Sequence, residues 1–324
     1  MTRMTHRDPI QPAPTASVRT VAGGRTDDGA PAEADPARSE GRDDGRDRVH
    51  DDGLDRVHED GRDDAPAPVI VERDGPVATV WLNRPAAFNA LSEATLGALA
   101  DAFDAVGADP SIRVVVLAAA GRAFCAGHDL REMRADPSPT YYRELFDRCT
   151  RVMMAIQRLP QPVVARVQGV ATAAGCQLVA MCDLAVASDE ARFAVSGINL
   201  GLFCSTPAVA LARNVGRKRA FEMLMTGEFI DAQTASAIGL VNHAVPVDRL
   251  DDEVARLAAR IAAQPPTAVR MGKGLFYRQL EMGIEAAYQL AGQTMACNMM
   301  DDDALEGVQA FLDKRQPAWR PRSL

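Results

Sequence analysis

Positive charge, ordered cysteine pairs and long apolar runs are all scarce in this 324-residue chain. No apolar stretch approaches the roughly eighteen residues that a membrane-spanning helix needs, and no apolar signal segment follows Met1, so a soluble protein without a membrane partner is expected. The six cysteines (Cys125, Cys149, Cys176, Cys182, Cys204, Cys297) form no Cys-x-x-Cys pair and have no histidine at ligand spacing. That argues against a disulfide framework or a metal centre and fits reduced thiols in a cytosol-like compartment. Acidic residues number 44 against 36 basic ones, a net charge of −8. Met1 to Ala65 carries 16 acids and 10 arginines, leaving only −2 for everything after it. The basic face that nucleic acid requires is therefore missing, although a few local Arg and Lys residues suffice to hold an anionic ligand.

Aromatic residues are also sparse, and none lies between Thr2 and Ala65. That segment is mostly Pro, Gly, Ala, Asp and Arg, with too little to bury to offset the entropy of ordering it. Residues 1–65 are expected to be a disordered acidic tail. Within it Asp44-Gly-Arg-Asp-Arg-Val-His-Asp51 recurs as Asp52-Gly-Leu-Asp-Arg-Val-His-Glu59 and begins again at Asp60-Gly-Arg-Asp63. Asp beside His allows a metal-binding or docking tract, but local duplication of a spacer explains the repeat more simply. Met1 to Arg25, with four arginines and one acid, faintly imitates a transit peptide. Its prolines and the acidic stretch behind it favour a cytoplasmic protein, with the mitochondrial matrix as the alternative.

Patterned sequence begins at Val69. Val69 to Arg73 and Val77 to Leu82 are β-rich runs around Asp74-Gly75-Pro76, which is hairpin chemistry. Ser92 caps a helical pattern through Val106; Arg113 to Leu117, Val163 to Val167, Asp183 to Ala187 and Arg192 to Ala194 read as strands, and Tyr141 to Arg158 as a helix. Alternation of this kind gives an α/β fold. From Pro207 the chain is mostly helical, and Pro265-Pro266 sets off a last helical group, about Thr267 to Leu312. The expected division is a tail over 1–65, a mixed core over 66–265 and a helical region over 266–324.

Two places share a design in which a strand leads through a Gly-containing turn into a helix. One runs from Val114-Val-Val-Leu117 to Ala123-Phe-Cys-Ala-Gly-His-Asp-Leu130, the other from Val163–Val167 to Gly169-Val-Ala-Thr-Ala-Ala-Gly-Cys-Gln177. Small residues let a ligand approach the backbone, and free N–H groups at a turn or helix start bind developing negative charge. Such turns are common in α/β proteins, so spacing alone leaves the function open.

The order of motifs narrows it. Asn83-Arg-Pro85 with Asn89-Ala-Leu91, Phe124 to Leu130, Gly169 to Asp183, Thr226-Gly-Glu228 with Ala232 and Gly239-Leu-Val241, and a closing Phe311-Leu-Asp-Lys-Arg315 resemble the enoyl-CoA hydratase/isomerase (crotonase) superfamily over about Val69 to Trp319. Ala171 to Val179 and Gly201 to Pro207 are most similar to the branch called enoyl-CoA hydratase domain-containing protein 3. The resemblance implies a spiral of ββα repeats with C-terminal helices that assemble a homotrimer or hexamer, and an acyl-CoA thioester as ligand. Coenzyme A then enters only as part of the substrate, with no separate cofactor and no metal. By the same resemblance the peptide N–H groups of His128 and Ala174 form an oxyanion hole. Ala87, Phe88, Arg131, Lys314 and Arg315 fall at coenzyme A-binding positions, while Ala86 stands where a phosphate-binding Lys is usual.

Departures from the pattern matter as much. The two glutamates of a hydratase fall at Gln177 and within Ser196-Gly197-Ile198, where Gly197 has no side chain. A Gln amide orients water but does not take its proton near neutral pH, so hydration should be weak or absent. An Ala-Gly-His-Asp motif like that around His128 also occurs in a decarboxylating relative, so decarboxylation or isomerisation, and non-catalytic acyl-CoA carriage or sensing, remain as alternatives. Ser205 is a candidate nucleophile without a visible base. Cys204 has the chemistry to attack a thioester, yet a buried Cys is more often an inert small hydrophobe. Asp129 reads as a helix cap, Asp183 as structural, and the methionines of the later helices as packing.

Overall fold

The fold is a computed structural model that describes residues 66–319; the tail, its repeat and the last five residues lie outside the described part. Among the described residues, ten strands alternate with eleven α-helices. The strands are β1 (Val69–Asp74), β2 (Val77–Leu82), β3 (Val114–Ala119), β4 (Ala123–Cys125), β5 (Val163–Val167), β6 (Val170–Thr172), β7 (Leu184–Ser188), β8 (Arg192–Ala194), β9 (Ile230–Asp231) and β10 (His243–Val245). The first helices are α1 (Glu93–Ala108), α2 (Leu130–Ala135), α3 (Pro139–Arg158) and α4 (Ala174–Met181). Next come α5 (Ser205–Asn214), α6 (Arg217–Thr226), α7 (Ala232–Ala237) and α8 (Leu250–Ala262), and then α9 (Pro266–Leu280), α10 (Ile284–Met299) and α11 (Asp302–Leu312). Among the described residues no helix is long and apolar enough to cross a membrane.

The strands form two sheets, ordered β1-β2-β3-β5-β7-β10 and β4-β6-β8-β9. Three strands of the first sheet each hand over within a few residues to a short strand of the second, and helix follows: β3-β4-α2-α3, β5-β6-α4, β7-β8-α5. The outcome is a spiral of ββα units, as the resemblance implied. β1 and β2 form the expected antiparallel hairpin around Gly75, whose positive φ of 52° suits the turn.

Side chains of β3 alternate between two cores. Val115, Leu117 and Ala119 join the main core beside α1, α3 and α4, whereas Val114, Val116 and Ala118 pack against Leu250, Val254 and Ala258 of α8. A strand buried on both faces reads as an unbroken apolar run, which is why β3 was legible. β4 and β6 differ: the stretches read as turns leading into helices each contain a three-residue strand, and these two strands pair in parallel. That pairing stacks successive turns of the spiral. Helix starts follow their caps: Ser92 accepts the Thr95 N–H at 3.1 Å, and Asp129 accepts the Arg131 N–H at 3.1 Å.

Candidate functional site

A cavity of about 690 Å³ opens beside the β4–β6 junction. Two turns form its polar end. Leu91 clasps the first, its N–H donating to the Gly127 carbonyl oxygen at 2.8 Å and its own carbonyl accepting the Asp129 N–H at 3.2 Å. His128 lies between, and its N–H donates to no acceptor among the described residues. The second turn is Ala173, at φ 50° and ψ −120°, a backbone conformation that favours glycine; it starts α4 so that the Ala174 N–H is likewise without a protein acceptor. The turns nearly touch: a Cβ on Gly127 would lie 3.3 Å from the Ala174 nitrogen and 3.0 Å from the Ala173 Cβ. Gly127 itself sits at φ 92°, so both its backbone and its surroundings require glycine. Two free N–H donors thus line one end of the cavity, one of them at the positive end of a helix.

Packing beneath them is equally close. A Cβ on Gly175 would fall 2.1 Å from the Cys125 carbonyl oxygen, so α4 presses directly onto β4. Asn89, only 1% exposed and at φ 54°, donates to the Ala120 and Ala123 carbonyl oxygens at 2.8 and 2.9 Å and accepts the Arg84 N–H at 2.9 Å. It holds Ala87 and Phe88 on the cavity wall, with the Arg122 guanidinium 4.6 Å from the centre of the Phe88 ring. Arg84 is committed to structure, donating to the Ala90 carbonyl and pairing with Asp129 at 3.2 Å. Arg131 lines the mouth, and its guanidinium has no partner among the described residues.

The His128 ring stands edge-on to Phe146 with centroids 5.5 Å apart, and both ring nitrogens are buried without a hydrogen bond. Burial lowers its pKa from 6.5 to about 4, with the Leu91 backbone acting in the opposite direction. At neutral pH the imidazole is uncharged. Gly197, Cys204 and Ser205 line the cavity with His128 and Ala174. Ser205 Oγ turns back to the Phe203 carbonyl at 3.3 Å. Cys204 has its thiol pKa raised by burial. Gln177, 6% exposed, is not part of the cavity wall, and its Oε1 has no partner. Lys314 and Arg315 are not brought to the cavity of this chain either; Arg315 is held by Glu306 at 2.6 Å and by Asp313 at 3.5 Å. Asp183 is structural, bonded to Lys273 and Tyr277. Phe146, Met133 and Leu202 complete the apolar wall without any sequence signal of their own.

The sequence model of the enoyl-CoA hydratase/isomerase family matches residues 72–322. The chain belongs to that family. Within it the branch is that of enoyl-CoA hydratase domain-containing protein 3: the rat protein, described as mitochondrial, is 46% identical over 76% of this chain and 82% of its own length. A crystal structure of an enoyl-CoA hydratase from Mycobacterium smegmatis superposes with a TM-score of 0.77 at 66% identity, covering 78% of this chain and 98% of that one. The human domain-containing protein 3 structure gives 0.76 at 44% identity, covering 78% of this chain and all of its own. Membership in the family establishes the crotonase fold and a place among proteins of acyl-CoA metabolism.

Proposed function

We propose that this chain binds an acyl-CoA thioester, holds its carbonyl oxygen between the His128 and Ala174 N–H groups and stabilises an enolate there, with hydration of enoyl-CoA weak or absent. Such donors supply about 3 kcal/mol each in a transition state. The observation that carries the reading is a contrast between donors that are present and carboxylates that are not. Two backbone donors stand free, while the positions of the hydratase glutamates hold Gln177, off the wall, and Gly197, without a side chain. Hydration needs one group to activate water and another to exchange a proton with the α-carbon. The cavity carboxylates are otherwise engaged: Asp129 caps α2 and pairs with Arg84, and Glu132 accepts the Glu93 N–H.

Arg131 at the mouth, beside Ala87 and Phe88, supports a place for the coenzyme A phosphates there. Lys314 and Arg315 would join through the same ligand only from another arrangement of chains. The apolar side chains that α10 and α11 leave exposed, among them Ile284, Tyr288 and Phe311, support assembly as a homotrimer or hexamer.

A second reading, non-catalytic acyl-CoA carriage or sensing, is favoured by Gly197, where a Cβ would meet the Leu202 carbonyl oxygen at 2.6 Å and leaves no room for a carboxylate. Decarboxylation is a third, since it generates the enolate without a base and His128 lines the cavity. Enoyl-, 3-hydroxyacyl- and malonyl-type CoA thioesters incubated with the full chain, followed by calorimetry and product mass spectrometry, separate these. Turnover of malonyl-type thioesters with slow or no hydration is the result expected of an enzyme. Rapid hydration of crotonyl-CoA would overturn the emphasis on Gln177 and Gly197, binding without turnover would select the carrier, and no binding would remove the acyl-CoA reading.

A further inference from the structure

From Phe193 to Ala212 the chain carries no charged residue and no histidine. Much of that stretch is cavity wall: Ser196, Gly197, Leu200, Leu202, Phe203 and Pro207 all line it. Hydrogen bonds fix its shape. A 3-10 turn over Ser196–Leu200 ends at Gly201 with φ 78°, where the Gly201 N–H donates to the Ile198 carbonyl and the Leu202 N–H to the Gly197 carbonyl, both at 3.0 Å. The chain then folds over Gly197 so closely that a Cβ there would lie 2.6 Å from the Leu202 carbonyl oxygen and 2.7 Å from Cys204 Sγ. This turn holds three large apolar side chains at the rim of the cavity, with Leu200 68%, Leu202 47% and Phe203 39% exposed. Two hydroxyls of the wall are spent within the protein, Ser196 on Thr172 at 2.8 Å and Ser205 on the Phe203 carbonyl.

The two donor turns sit between walls of opposite character. His128 leads directly into α2, which brings Arg131 and Glu132 to the cavity. Ala173, just before the Ala174 donor, gives its own N–H to the Ala194 carbonyl at 3.0 Å, and Ala194 leads into the charge-free wall. A thioester carbonyl between the donors therefore has a cation on one side and uncharged side chains on the other. Resting on the acyl-CoA reading above, we propose that the cavity selects an uncharged aliphatic acyl group of medium or greater length, whose chain runs along the wall from Ser196 to Pro207 and covers Leu200, Leu202 and Phe203 where it leaves. Exposed apolar side chains contiguous with a cavity mark where a ligand lies, and removing them from water drives the binding. Full burial of one methylene is worth about fourfold in affinity, whereas a terminal carboxylate on this wall would lose its water without meeting a cation. Leu200, Leu202 and Phe203 are thereby specificity residues for the chain, distinct from the donors that hold the carbonyl.

The test titrates the full chain by calorimetry with butyryl-CoA, octanoyl-CoA and suberyl-CoA, the last a chain of octanoyl length ending in a carboxylate. Octanoyl-CoA should bind at least about tenfold tighter than butyryl-CoA, and suberyl-CoA at least about tenfold weaker than octanoyl-CoA. Leu200→Ser and Leu202→Ser should each cut the octanoyl-to-butyryl affinity ratio at least about threefold, a readout that partial loss of folded protein does not move. Equal affinity for the two saturated chains, suberyl-CoA binding as tightly as octanoyl-CoA, or an unchanged ratio in both variants would each overturn the proposal and leave the acyl-CoA reading standing. An unchanged ratio together with altered sedimentation of the variants would give the rim to a second copy of this chain instead. If none of the three thioesters binds, the acyl-CoA reading falls and this inference with it.

Discussion

Lys273 Nζ lies 2.7 Å from Asp183 Oδ2 in the protein interior and also donates to the carbonyl oxygens of Ile156 and Gln161 at 2.9 Å each. Asp183 in turn accepts the Tyr277 hydroxyl and the Val163 N–H, both at 2.6 Å. One buried carboxylate therefore ties α9 to the start of β5. Removing Lys273 leaves that charge without its counterion, so Lys273→Met should cost about 3–5 kcal/mol. Urea denaturation at pH 7 measures it, and a loss below about 1 kcal/mol, the range of exposed pairs, would mean the pair is solvated.

His128 makes stability depend on pH in a defined direction. Its imidazole titrates near 4 when folded against 6.5 as the reference value. Between those values the unfolded chain holds the proton and the folded chain does not, so stability is fully present above pH 6.5 and is lost as pH falls toward 4. The loss approaches roughly 3 kcal/mol, at 1.36 kcal/mol per unit. Relative to His128→Gln, the wild-type chain should weaken by that amount across the window in denaturant titrations at successive pH values; parallel curves would contradict it.

Gly197→Ala places a methyl group against Cys204 Sγ and the Leu202 carbonyl oxygen. Overpacking of this kind costs about 1–3 kcal/mol, and thiol labelling at Cys204 should change in rate as the side chain is pushed aside. For the same reason Gln177→Glu combined with Gly197→Glu should not restore fast hydration of crotonyl-CoA. Restored turnover would show that the Leu202–Cys204 segment moves freely.

At Gly175 the obstruction is backbone, with a Cβ 2.1 Å from the Cys125 carbonyl oxygen. Gly175→Ala must separate α4 from β4 and should destabilise by more than about 4 kcal/mol, well beyond an ordinary substitution. Ala173→Gly goes the other way, relieving a φ of 50° and raising stability by roughly 1 kcal/mol. Thermal melts of the two variants should shift in opposite directions.

The hairpin, the Ser92 and Asp129 caps and the apolar run of β3 were legible because each is a local signal, written in neighbouring residues. β4, β6 and β8 span three residues each, too few for a period-2 pattern to stand out, and only Arg192–Ala194 was read as a strand from its composition. The two donor turns were visible as Gly-containing strand-to-helix junctions. Their convergence was not, since it depends on β4 pairing with β6, Ala123 with Val170 and Cys125 with Ala171, and on the absence of side chains at Gly127 and Gly175. The place of Cys204 was hidden for a similar reason: what puts it in the cavity is the missing Cβ of Gly197, and contact with an empty position leaves no pattern. Lys314 and Arg315 carried a family resemblance that concerns the ligand, not the cavity wall of a single chain.

The donors at His128 and Ala174 belong to the main chain. Every residue except proline carries such an N–H, whereas a single base change can erase a carboxylate. On the proposed reading, the part of the site that would polarise a carbonyl is durable under mutation and the part that would move protons is expendable. A lineage built on this spiral would then be free to exchange one side chain of the cavity for another while the pair of main-chain donors persists.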